Sequence, residues 1–479
     1  MKRFFSLVLV IAVLAVLVPV AAAAPLAQGE EYIVLAGDWL SKLADKYLGD
    51  PMAYPAIVLA TNKKYGEDAT FAYIDDPDFI EPGWKLWIPS AEEATALMAA
   101  TKGTTYKIGF APSVTGGGSF LGTPERNTAE IVAAQLEVTG GVVGSDGVLH
   151  PVEIIMGDTE SNPDVGVSLA RRFIDENEVV VLVMGSLTPI SLAIAEVAEE
   201  AEVPYVSMAS SSLIIQDPAD ATKMRYWVFK TPQSNGDVAV WQVKRLQKMG
   251  ATSVCYLYEN TGYGKDCFNS SMQALEAAGF TTASSDSFER TDTEFPQVAG
   301  VQAAGCDVVV VGAIPPGASM VTIALRDALP DIPIVHGHGV CTDDFITTGG
   351  AAVEGVELPC SAVIIAEDLP SDHPQKSVFM HYKTLYTDYT GEPVSTFGGH
   401  GWDGLMWVLD ALKTLPDGLT LEEQRVAVRD YLENNIKDWP GTAGVFTLSP
   451  TDHYGLTADS FTWFKVEGGK WVPFPESQW

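Results

Sequence analysis

The chain has 479 residues, with 62 acidic against 29 basic side chains and a formal net charge of −33, a balance that repels phosphate backbones and excludes nucleic acid as a partner. Its length and 47% hydrophobic content suit more than one buried core. As a mean field the negative charge also works against anionic ligands, so any carboxylate site has to be built locally.

At the start, Lys2 and Arg3 precede an unbroken apolar stretch from Leu7 to Val18, and the small-residue run Ala21–Ala24 offers a cleavage site. Residues 1–24 therefore read as a secretory signal. The apolar stretch is shorter than the roughly 20 residues of a membrane span. The first cysteine is Cys255, so no lipid attachment is expected near the cleavage site. The mature chain is expected to be soluble and extracytoplasmic, at the periplasm or cell surface.

A small module occupies residues 31–90. A strand over Tyr32–Leu35 leads through Ala36-Gly37-Asp38 into a helix whose Leu40, Leu43, Ala44 and Tyr47 share one face. A second helix is expected over Pro55–Thr61, stopping near Asn62, and Pro82-Gly83 turns into a closing strand that pairs with the first. The order is βααβ. The pattern Tyr32-x-Val34-x-x-Gly37-Asp38-x-Leu40-Ser41-x-x-Ala44, with Asn62 and the closing Pro82-Gly83-x-x-Leu86-x-Ile88-Pro89, resembles LysM carbohydrate-binding modules. The resemblance implies contact with peptidoglycan or another N-acetylglucosamine glycan. The acidic insert Lys63–Phe79 departs from the family pattern, and a spacer that binds nothing is the alternative.

Residues 91–104 are rich in small side chains and read as a linker. Beyond them, strand candidates at 106–110, 152–156, 179–184, 205–207, 253–258, 308–311 and 334–336 alternate with helical stretches, notably 127–138, 163–175, 238–249, 265–278 and 319–328. Such alternation predicts an α/β fold of parallel sheets covered on both faces. Seven or more βα units fit two doubly wound lobes joined by a hinge better than one sheet. Thr231-Pro232-Gln233 is the natural crossing point.

The segment 179–212 carries the most information. The apolar run Val179–Met184 ends in Gly185-Ser186-Leu187-Thr188-Pro189, and Val203–Ser207 ends in Met208-Ala209-Ser210-Ser211-Ser212, with a helical stretch between them. In parallel sheets ligands sit beyond the carboxyl ends of strands. Thr188 and Ser211 are therefore expected to face one crevice, where hydroxyls and unpaired N–H groups receive an anionic oxygen. Helix capping alone is the alternative. Five cysteines, an odd number, leave at least one thiol free, and Cys341 with Cys360, flanking one helix-like segment, is the first pairing to expect.

From Tyr106 onward the chain resembles type I periplasmic binding proteins of the leucine/isoleucine/valine-binding kind. The matching residues are Tyr106-Lys-Ile-Gly-Phe-Ala-Pro-Ser-Val-Thr-Gly116, Asn127-Thr-Ala-Glu-Ile-Val-Ala-Ala134, Gly157-Asp-Thr-Glu-Ser-Asn-Pro163, the strand 203–207, Tyr263-Gly264 and Gly337-His338-Gly339. The resemblance implies a binding domain over residues 105–479, with one lobe at about 105–231 and 361–443 and the other at about 232–360 and 444–479. It implies a receptor that closes on an amino acid or related carboxylate and hands it to an ABC permease. By the same resemblance Thr188, Ala209, Ser210 and Ser211 receive the ligand carboxylate, Phe120 or Leu121 and Trp402 line the pocket, and Tyr263 closes over it. His338 stands where the family has the acidic residue that receives the ligand ammonium, and the tyrosine expected near Ala313-Ile314 is missing. A carboxylate without the amine is therefore as compatible with these residues as leucine.

His336 and His338 alternate at a strand end, so both are expected to face the cleft as polar lining, with metal binding alongside Asp343 or Asp344 the alternative. No nucleophile elbow, phosphate loop or zinc helix occurs, so no enzyme activity, metal or cofactor is expected. A ligand sensor for a signalling partner, or a cell-wall-binding protein without a transport role, are the rival readings.

Overall fold

Hydrophobic periodicity in residues 30–88 builds a strand, two helices and a strand. In the structure, a computed structural model, Glu30–Ile33 pairs antiparallel with Lys85–Ile88, and the helices Leu40–Leu48 and Tyr54–Glu67 lie between them. Residues 28–479 are described, apart from 75, 76, 78, 100 and 101, so the secretory signal read at 1–24 lies outside them. The chain divides into two compact units at Ala100/Thr101. Leu40, Leu43 and Ala44 pack with Ile57, Val58, Leu86 and Ile88 into the core of the small unit. The second helix does not stop at Asn62. That side chain instead pins the acidic insert, donating to the Ile74 carbonyl at 2.8 Å and accepting the Ile74 N–H at 2.7 Å, and the helix continues to Glu67. Residues 91–104, read above as a linker, open with a helix over Ala91–Ala99. Ser90 and Glu93 cap it reciprocally, with bonds of 3.1 and 2.8 Å, and its alanines are strong helix formers.

The large unit, from residue 101, holds two sheets. In the first, all strands are parallel, in the order Val228–Lys230, Tyr205–Ser207, Val181–Met184, Tyr106–Ala111, Val152–Met156. Its central apolar runs are buried on both faces, as parallel strands between helix layers require. The second sheet runs Thr281–Phe288, Ser253–Glu259, Val308–Gly312, Ile334–His336, Glu357–Cys360, Thr462–Glu467, Lys470–Pro473. Its last two strands depart from the parallel expectation. Thr462–Glu467 pairs antiparallel with Glu357–Cys360 and then turns back through Gly468-Gly469, whose φ values of +60° and +71° suit a tight hairpin.

Between the sheets the chain crosses near Thr231, near Ser361 and after Gly441, and these crossings are bonded together. The Gln233 amide donates to the Ala443 carbonyl at 2.6 Å and the Ser361 hydroxyl to the Thr442 carbonyl at 2.7 Å. Asp403 accepts from the Thr442 N–H, the Thr442 hydroxyl and the Ala443 N–H. The helices Lys376–Thr390, Thr396–Leu412 and Leu421–Asn435 share the hydrophobic core of the first sheet. Cys341 is bonded to Cys360 as expected, Cys255 is bonded to Cys306, and Cys267 remains a buried thiol.

Candidate functional site: the cleft between the two sheets

On the first sheet, Gly185 takes a φ of +80°, turning the chain out of Val181–Met184 so that a helix starts at Thr188 with Pro189 in its first turn. Leu187 precedes the helix and no side chain caps it; Pro189 has no N–H and the Ile190 and Ser191 N–H groups bond the Leu187 carbonyl, so the Thr188 N–H is the backbone donor left at this start. Thr188 is 2% exposed and lines a cavity of about 30 Å³ between the sheets. Ser186 lines it too, accepting the Ser113 N–H at 2.8 Å and donating to Glu125.

After the next strand, Ser207 accepts the Ala209 N–H at 3.1 Å, so Ala209 meets the cavity with its N–H already engaged. Ser210 lines the cavity; Ser211 does not. The Ser211 hydroxyl accepts the Leu213 N–H at 3.3 Å and faces Asp266, so capping accounts for Ser211 and the crevice for Thr188. A one-residue shift in an irregular turn exchanges the two hydroxyls.

The opposite wall comes from the second sheet. Thr261 caps the helix Gly262–Ala277 by accepting the Gly264 N–H, and Tyr263 in its first turn reaches the cavity. Residues 338–340 form a short 3-10 turn from which His338 and Gly339 join the lining. A Cβ on Gly339 would stand 2.3 Å from the Tyr263 hydroxyl, so glycine lets this turn approach the ring. Ile314 and Pro232 close the apolar side.

Of the aromatic positions, Leu121 lines the cavity, whereas Phe120 lies in a neighbouring groove, edge-on to Phe397 at 6.1 Å. Trp402 is not in the cavity; it packs among Tyr382 and His381, 5.3 and 5.6 Å away. The helix Thr396–Leu412 presents Phe397 and His400 to the cleft, and at about 100° per residue Trp402 falls on the side opposite His400. Phe397, His400 and Ser186 were missed in the sequence. The signal for the first two was the start at Ser395, which caps that helix, followed by i, i+3 spacing.

His336 departs from expectation, bonding Thr322 at 2.9 Å and packing edge-on to Phe345 in the core. Strand alternation ends where the 3-10 turn begins, so only His338 faces the cleft. Among the described residues no cluster of three His, Cys, Asp or Glu groups could hold a metal ion. Burial pushes the pKa of His338 down to about 3, aided by the charge of Lys230. Burial also pushes His400 down to about 3, with His338 and Lys230 adding to the effect. Both rings are neutral well below pH 6, and the Nδ1 atom of each has no partner. Affinity for a carboxylate ligand is therefore expected to change less than about twofold between pH 5 and 6.5, as read by titration calorimetry. Imidazoles with the ordinary pKa would gain charge across that window and change it several-fold.

A sequence profile described as periplasmic binding protein matches residues 105–470. The chain belongs to this family. Among its relatives is Leu/Ile/Val-binding protein homolog 3 of Brucella melitensis, 24% identical over 57% of this chain and 71% of that protein. Leu/Ile/Val-binding protein BraC3 of Rhizobium johnstonii is 23% identical over 76% of this chain and 92% of its own length. Among solved structures, an extracellular ligand-binding receptor from Rhodopseudomonas palustris HaA2 is 29% identical, covers 77% of this chain and 99% of its own, and has a TM-score of 0.69. Residues 105–470 of this periplasmic binding protein thus form a solute receptor, not an enzyme, and no helix among the described residues is long and apolar enough to cross a membrane.

Proposed function

We propose that this periplasmic binding protein captures an amino acid or related carboxylate between its two lobes and delivers it to an ABC permease. The uncapped start of the helix Thr188–Ala201, with the hydroxyls of Thr188 and Ser210 on the same cavity wall, carries the reading. A helix N-terminus and unspent hydroxyls receive a carboxylate in a cleft from which water is excluded. The Leu/Ile/Val-binding names of the relatives agree with such a ligand and with a transport role. Export by the signal at residues 1–24 completes the proposal.

Thr188→Ala is expected to lose about 2 kcal/mol of ligand affinity, roughly 30-fold, on the scale of a hydrogen bond to a charged group. Titration calorimetry against a panel of amino and carboxylic acids measures it. Unchanged affinity for the best ligand would reject Thr188 as its anchor.

The small unit joins the proposal as a LysM-like module that holds the receptor near glycan. Supporting this, Trp39 is 57% exposed on the turn entering the first helix, with the Lys42 ammonium 4.9 Å from its ring, and Ile33 and Leu35 of the same unit are also exposed. An exposed indole of this kind is a stacking surface for a sugar ring.

A further inference from the structure

We infer that the ligand of this cleft is a small carboxylate bearing a hydroxyl or oxo oxygen in the place where an amino acid bears its ammonium. The inference rests on the carboxylate-receptor reading above and narrows its ligand class.

Three helices begin at the cavity. Thr188 is the first residue of one, Tyr263 the second residue of the next, and Phe397 the second residue of the last, with His400 one turn further on. The first two starts converge, since a Cβ on Gly262 would lie 3.4 Å from the Thr188 methyl group. Helix starts carry partial positive charge, and three of them around one cavity favour an anion and disfavour a cation.

An ammonium held there needs a carboxylate, and the cavity lining contains none. Four buried carboxyl groups surround the cleft; none lines the cavity, and three have their oxygens taken up elsewhere. Glu259 accepts both Arg290 nitrogens, the Ile314 N–H and the Thr261 hydroxyl. Asp266 takes the Asn235 amide at 2.5 Å, and Asp403 is used by Thr442 and Ala443 at the crossing. Glu125 lies behind Ser186, which donates to one of its oxygens; the other has no partner, and burial holds its pKa well above the ordinary carboxyl value, which disfavours the charged form that an ammonium would need. Asp343 and Asp344 line the neighbouring groove with Phe120.

The cavity does offer neutral polar atoms without partners. His338 Nδ1, His400 Nδ1 and the Tyr263 hydroxyl are each more than nine-tenths buried and belong to residues that line it. The polar neighbour of Tyr263 is the Cys267 thiol, a weak acceptor that leaves the hydroxyl proton available. Buried polar atoms of this kind are satisfied by a ligand that supplies uncharged donors or acceptors next to its carboxylate. A hydroxyl or carbonyl oxygen does so without bringing a positive charge into the cavity.

The test is titration calorimetry of the full chain with acids matched in skeleton: leucine against 4-methyl-2-oxopentanoate and 2-hydroxy-4-methylpentanoate, and alanine against pyruvate and lactate. The expected result is that, in the series that binds, an oxo or hydroxy acid binds at least 100-fold tighter than its amino acid. An amino acid that binds as tightly or more tightly overturns the inference and leaves the receptor reading standing; no binding by any of these acids overturns both. His338→Glu, shown to be folded by its thermal melt, is expected to strengthen leucine binding at least tenfold. An unchanged preference in that folded variant also overturns the inference, and the wild-type series decides it should the variant not fold.

Discussion

Replacing Glu259 by alanine is expected to destabilise the binding domain by about 3 kcal/mol, because it leaves the largely buried guanidinium of Arg290, 12% exposed, without its counter-charge. Glu259 ends the strand Ser253–Glu259 and is fully buried. Its carboxylate receives Arg290 at 2.6 and 3.1 Å, the Thr261 hydroxyl at 2.6 Å and the Ile314 N–H at 3.2 Å. One side chain thereby fastens the end of its own strand, the residue that caps the Tyr263 helix, and the loop that carries Ile314 into the cavity. Urea unfolding measures the loss. The double change Glu259→Leu with Arg290→Met removes both charges and is expected to recover part of it, since a buried pair is worth far less against an apolar pair than against a half-removed one. A loss below about 1 kcal/mol in Glu259→Ala would mean that water reaches Arg290 and that the pair is not a buried one. Ligand affinity is expected to fall with stability, because two of the three groups that Glu259 engages, Thr261 and Ile314, set the position of cavity-lining residues.

Local pattern and tertiary geometry contributed unequally to what could be read from the sequence. The helix expected over 163–175 is found at Pro163–Asp175, where Asn162 accepts the Asp164 N–H as its cap and Pro163 opens the first turn. Such signals lie within a few residues of one another and are visible in any sequence. The strand runs 179–184 and 308–311 were equally legible, because a continuous apolar run has few other ways to be buried. Of the cavity lining, Thr188 was legible from the strand end that leads into it, and Leu121, Ala209, Ser210, Tyr263 and His338 were reached through the family resemblance. Trp402 was misplaced because the face a helix turns inward depends on its partners: this helix packs against Ser119–Thr139, and the indole was drawn into the layer with Tyr382. The helix Ala91–Ala99 was hidden by composition. Small residues read as linker until Ser90 and Glu93 are recognised as a reciprocal cap.

Gly264→Ala is expected to cost about 3 kcal/mol or more in stability, at the upper end of overpacking changes, and to weaken ligand binding with it. An added Cβ would stand 2.0 Å from the Glu259 carbonyl oxygen, a contact of backbone with backbone that no side-chain rotation relieves. The helix Gly262–Ala277 has to move away from the end of its strand, carrying Tyr263 out of the cavity wall and loosening the Thr261 cap. The first lobe uses the same device: a Cβ on Gly122 would lie 2.1 Å from the Ser113 carbonyl oxygen, next to Leu121 in the cavity lining. In both lobes, then, a glycine in the first turns of a helix lets it seat directly on backbone beside the cleft. Gly236→Ala is the control, since it lies in the first turn of the helix Asn235–Met249 with nothing within 4 Å of its Cβ position. There alanine is expected to be neutral or to stabilise by up to about 1 kcal/mol. Thermal melts of the two variants with and without ligand separate the effects. If Gly264→Ala melts and binds like Gly236→Ala, the close seating of the Tyr263 helix on its strand is not what holds the second wall of the cavity.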